Sequence, residues 1–137
     1  MTYYPGKNLY NSPKVVKKII SFRKVKTMIE HKELFKPVYQ GALEDNRVIG
    51  MMKSYIKKLE YFQFRNSVVV GDVNKKFYII DGQHRIEMAC RLCDKSSDYN
   101  NHKLIIVYYK LDSQESALDL FNEINIDSKK NQNYFNL

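Results

Sequence analysis

A chain of 137 residues, 44% hydrophobic and 28% charged, has room for one domain with a sizeable core. It has no apolar run near the ~20 residues of a membrane span, and Met1-Thr-Tyr-Tyr-Pro5 lacks a signal-peptide pattern. Its two cysteines, Cys90 and Cys93, exclude a disulfide framework, so an intracellular, reduced protein is expected, cytoplasmic or with the nucleoid or nucleus. The net charge of +8 is concentrated at one end. Residues 1–38 carry nine Lys and Arg against Glu30 and Glu33, while the remainder carries 14 basic and 13 acidic residues. A basic arm beside a near-neutral body points to a polyanion, of which nucleic acid is the commonest; the alternative is a solvated Lys-rich helix.

Residues 1–12 read as loop or arm. Ser12 then suits an N-cap and Pro13 a first helical position. Val15, Val16, Ile19, Ile20 and Phe22 fall on one stripe of a helix, with Lys14, Lys17, Lys18 and Lys24 opposite. Past Phe22 the phase slips, which predicts a kink or second helix up to Phe35. Residues 1–36 are thus expected to form a basic arm and helix, with Lys14, Lys17, Lys18, Arg23, Lys24 and Lys26 contacting DNA phosphates. Pro37-Val-Tyr39 should be extended. Asp45 suits the N-cap of a helix from Asn46 to Leu59, with Val48, Met52, Ile56 and Leu59 facing inward.

Asn66–Gly71 and Lys76–Ile80 have the apolar, branched composition of strands, and Asp72-Val-Asn-Lys75 closes them into a hairpin. Asp81-Gly82 breaks the second strand, and Gln83–Cys93 reads as helix. Strand, Gly turn, helix is an arrangement that aims free backbone N–H groups at an anion. His84 and Arg85 sit in the first turn, where the helix dipole disfavours cations unless an anion is present. A polar loop, 94–101, precedes a strand from Lys103 to Leu111. Asp112-Ser-Gln-Glu115 is a capping-box pattern opening a helix to about Ile124, with Ala117, Leu118, Leu120, Phe121 and Ile124 inside.

Asp81-Gly82-Gln83-His84-Arg85, set between strand and helix, resembles the DGQHR motif of a DndB-like family within the ParB/sulfiredoxin-like superfamily. Tyr39-Gln40 with the basic helix through Arg47 and Tyr55, and Phe121-Asn-Glu-Ile-Asn125 with Ser128-Lys-Lys130, resemble that family's first and closing elements. The resemblance covers residues 37–131, leaving 132–137 as a tail. It implies one compact α/β domain, a small mixed sheet flanked by four or five helices, with a phosphate-binding cleft at the Gly turn. Superfamily members bind CTP or ATP there, so the resemblance implies ATP or CTP with Mg²⁺ as cofactor and DNA as partner. No membrane partner is expected, and a homodimer is left open. Where sulfiredoxins carry a cysteine this chain has Gln83, which removes the thiolate that sulfinic acid reduction requires.

Each site residue has a second reading. Gly82, Gln83, His84, Arg85 and Asn125 are the expected nucleotide or phosphate contacts. Arg85 otherwise pairs with Asp81 or Glu44, and His84 is otherwise a satisfied structural imidazole. Asp81 either holds Mg²⁺ through water or acts as a general base, or else caps the helix. If the domain is an enzyme, as a metal-dependent nuclease, NTPase or small-molecule kinase, Asp81, His84 and Glu44 are its expected catalytic groups. No metal-ligand set is expected: Cys90-Arg-Leu-Cys93 has no second pair of ligands, and reads as packing on the helix's inner face.

Overall fold

The computed structural model describes residues 14–36, 41–57 and 67–135, the stretch from 125 onward as backbone only. The expectations for Ser12 and Pro13, for Pro37–Tyr39, for Leu59, and for the side chain of Asn125 lie outside the described residues.

Among the described residues nine strands and α-helices follow in order: β1 (Val15–Ser21), α1 (Phe22–Glu30), β2 (Leu34–Phe35), α2 (Asp45–Lys57), β3 (Val68–Val73), β4 (Lys76–Asp81), α3 (Gln83–Lys95), β5 (Lys103–Leu111) and α4 (Gln114–Phe135), with a short 3-10 helix at Ser97–Tyr99 between α3 and β5. The five strands form one mixed sheet in the order β1-β5-β3-β4-β2. β3 runs parallel to β5 and antiparallel to β4, while β2 runs parallel to β4. The architecture is the expected α/β class, a mixed five-stranded sheet with four helices among the described residues.

Within the helix expected from Pro13 to Phe22, Val15–Ser21 is instead strand β1, and this is the main correction. All seven of its residues pair with β5, from Val15 opposite Tyr109 to Ser21 opposite Lys103. Val15, Val16, Ile19 and Ile20 satisfy the helical spacing, but they are all β-branched and favour the pleated surface that β5 provides. The chain turns helical at Phe22, where the Ser21 side chain caps α1 by accepting the Lys24 N–H at 3.0 Å. Phe22 and Val25 are fully buried. The residues set apart in sequence as a basic arm therefore lie, from 14 to 36, within the same sheet and core.

Two apolar layers sandwich the sheet. Val68 and Val70 of β3, Ile79 of β4, and Leu104 and Ile106 of β5 face Phe22, Val25, Val48, Ile86, Ala89 and Leu92 of α1, α2 and α3. The opposite face gathers Val73, Ile80 and Leu111 under Ala117 and Leu120 of α4. Period-two alternation along the strands divides the side chains between the layers.

Smaller differences have local causes. In α2 Val48 and Tyr55 are buried and Met52 packs half-buried against the core, whereas Ile56 is 40% exposed. Tyr55 wins the buried position because its hydroxyl reaches His102 Nδ1 at 2.6 Å, beneath the Phe22 ring. Asp45 is the first helical residue rather than the cap, and it pairs with Arg91 of α3 at 2.6 Å. Ser113 caps α4 in place of Asp112, its hydroxyl accepting the Ser116 N–H at 3.2 Å. Cys90 and Cys93 are half-buried against the main core, and burial raises the Cys90 thiol to about 12. Among the described residues no helix is long and apolar enough to cross a membrane.

Candidate anion-binding cleft

The junction of β4 and α3 is built by one irregularity and one glycine. The β3–β4 register slips between Val69, opposite Asp81, and Val70, opposite Ile79. Ile80 is thus an extra residue on β4, a bulge just ahead of the turn. Gly82 follows with φ 107° and ψ 22°. A Cβ there would stand 2.9 Å from Val68 Cγ2 and 3.3 Å from Val68 Cα, so only glycine fits against β3.

Gly82 is also the N-cap of α3, and no side chain caps this helix end. Asp81, read in sequence either as cap or as catalyst, does not cap. Its carboxylate lies 3.5 Å from Arg85 Nη2. The leading N–H groups of α3 therefore keep their donor capacity and their share of the helix dipole.

A second wall comes from residues 41–44, ahead of α2. Gln83 Nε2 donates to the Gly41 carbonyl at 3.0 Å, and the Glu44 N–H donates to His84 Nε2 at 3.0 Å. That bond fixes His84 with an unprotonated Nε2. The residue is only 9% exposed, and burial, reinforced by Arg47 and Lys36 against Glu44, lowers its pKa. Arg85 Nη2 donates to the Ser67 carbonyl at 3.0 Å. Arg85 Nε and Gln83 Oε1 are buried with no hydrogen-bond partner among the described residues.

These groups line a cleft of about 370 Å³. Glu44, Asp81, Gly82, Gln83, His84 and Arg85, all singled out in sequence, meet there. Arg47 joins them without having been named as a site residue. Its side chain is 63% exposed, and its nearest carboxylate, Glu44, is 3.8 Å away. The signal was present as a cation in the first turn of α2, three residues after Glu44. Met51, Ile80 and Phe121 supply an apolar end. Two arginines and two carboxylates cancel in formal charge, which leaves the uncapped α3 terminus as the cleft's net attraction for an anion.

The six basic residues expected to contact DNA are not gathered on one surface. Lys17 and Lys18 take opposite faces of β1, with Lys18 Nζ 5.7 Å from the centre of the Tyr108 ring. Lys26 of α1 is ion-paired with Asp94, while Arg23 and Lys24 sit one helical turn or less away from it in sequence. Among the described residues no group of three or more His, Cys, Asp or Glu side chains is arranged to hold a metal ion.

No family model and no curated protein matches the chain. Among solved structures it is similar to the N domain of a Pnob8-like ParB, at a TM-score of 0.43 and 16% sequence identity. The match covers 82% of this chain and 37% of that one.

Proposed function

We propose that this is a nucleic-acid-associated regulatory domain that holds a phosphate, of a nucleotide or of the DNA backbone, against the start of α3. The observation that carries the reading is the Gly82 terminus of α3, uncapped and opening into the cleft beside Arg47. A phosphate there accepts the free backbone N–H groups, and Arg47 turns from its long contact with Glu44 to a bidentate one. The likeness of Asp81–Arg85 to the DGQHR turn supports the same placement.

The cleft at the uncapped start of α3, with Arg47 and two carboxylates around it, would also suit ATP or CTP with Mg²⁺. Gln83, His84 and Arg47 would meet the phosphates, Glu44 and Asp81 would lie toward a hydrated Mg²⁺, and Met51 and Phe121 toward the base. The net charge of +8 draws any polyanion toward the surface.

Calorimetric titration with ATP·Mg²⁺, CTP·Mg²⁺ and a short DNA duplex tests this reading. Arg47→Ala is a cleaner variant than Arg85→Ala, because Arg85 also braces Ser67. At least one ligand should bind, and Arg47→Ala should weaken it by about tenfold or more, the value of one charge-assisted hydrogen bond. Duplex binding should also fall steeply with salt. Wild-type protein that binds none of the three, or a variant that binds as well as wild type, overturns the proposal.

One observation favours an enzymatic second reading: Glu44, just ahead of α2, and Asp81, at the end of β4, line the same cleft. Phosphate release or DNA nicking that requires Mg²⁺ or Mn²⁺, and that is lost in Asp81→Ala, distinguishes it from binding alone.

A further inference from the structure

The two outer strands of the sheet are unlike. β2 is two residues long, whereas β1 presents seven, all in unbroken register with β5. Among the described residues nothing pairs with the outer edge of β1. The strand contains no Pro, no Gly and no acidic residue. Val15, Val16 and Ile19 are 52%, 43% and 60% exposed. A long, regular, apolar edge of this kind is a template for one more strand.

What that strand should be follows from the middle of β1. The order from Val15 to Ile20 is two apolar residues, two lysines and two apolar residues, and alternation puts one lysine on each face. A second copy laid alongside would crowd lysine near lysine in a protein already at +8. The complementary pattern is two acids flanked on each side by branched apolar residues. This pattern reads the same in both directions, so it serves a parallel or an antiparallel addition.

We propose that the free edge of β1 accepts an extended acidic segment of a partner protein as a sixth strand, with adjacent Asp or Glu residues opposite Lys17 and Lys18. Backbone hydrogen bonds supply the attachment and the two lysines supply the selection. The inference is independent of the cleft, which lies at the end of β4, with β5 and β3 between that strand and β1 in the sheet.

The test is fluorescence anisotropy of the full chain with a labelled peptide containing Val-Ile-Glu-Glu-Ile-Val. The peptide should bind. Exchanging its Glu-Glu for Lys-Lys should weaken binding by about tenfold, and Lys17→Glu with Lys18→Glu should reverse the preference. N-methylating alternate peptide amides leaves the side chains intact and should abolish binding to the unaltered protein, whatever the variants do to folding. Absence of binding, or equal binding of the N-methylated peptide, overturns the proposal. So does a dimer by sedimentation that the paired Lys→Glu changes dissociate, because the edge would then belong to a second copy. Duplex DNA binding that those changes remove, without any peptide binding, assigns the lysines to nucleic acid instead.

Discussion

At Gly82 two demands fall on one residue: a backbone angle that L side chains rarely adopt, and contact with the backbone of β3. Gly82→Ala should therefore destabilise the fold by about 2–4 kcal/mol in urea unfolding. A loss under about 1 kcal/mol would mean that the strand–helix junction can relax around a methyl group. The hairpin between β3 and β4 makes the opposite prediction. Asn74 and Lys75 both have positive φ, at 53° and 71°, the signature of a two-residue type I′ turn, and Asp72 accepts the Lys75 N–H at 2.9 Å. Lysine is a poor residue for that conformation, so Lys75→Gly should raise stability by about 0.5–1 kcal/mol in the same assay. The need for Gly82 was legible in sequence, because a glycine between an apolar strand and a helix has few other reasons to be there. The partner of Arg85 was not: Ser67 lies far away in sequence, and a backbone carbonyl leaves no residue-specific trace.

Among the elements, β3, β4, α3 and β5 were legible because each has a single consistent pattern bounded by turn residues. β1 was not, since Val15, Val16, Ile19 and Ile20 fit an amphipathic helix as well as an exposed edge strand. Only Ser21 as a cap for α1 distinguishes the two. In α2, hydrophobicity alone ranked Ile56 above Tyr55, and the hydroxyl's bond to His102 reversed that order. The bond between the Glu44 N–H and His84 joins α2 to α3 and carries a pH prediction. Folding lowers the His84 pKa from its usual 6.5, so the unfolded chain takes up the proton first. The stability tied to neutral His84 is present above about pH 6.5 and is lost as pH falls toward the lower folded value. The groups around the ring are Glu44, Arg47 and Lys36. Thermal midpoints should drop between about pH 7.5 and 5.5, and the drop should shrink in His84→Gln, whose side-chain carbonyl still accepts from Glu44. Equal drops in both proteins would assign the titration to another group.

At the scale of the whole molecule, one sheet joins the first described strand to the last. β5 is held between β1 and β3, and Phe22, Val25, Met28 and Leu34 fill the main core. A chain beginning at residue 37 should consequently fail to fold, with collapsed amide dispersion by NMR and no cooperative melt. Each buried apolar side chain it loses is worth roughly 1.5–3 kcal/mol against a total stability of about 5–15 kcal/mol. A cooperative melt in the truncated chain would make residues 14–36 an appendage after all. The same pairing sets an order of events during synthesis. β1 leaves the ribosome before β5 and can take its place only once β5 has been translated. Until then Val15, Val16, Ile19 and Ile20 have no sheet to cover them, and Lys17 and Lys18 break what would otherwise be a sticky nascent segment.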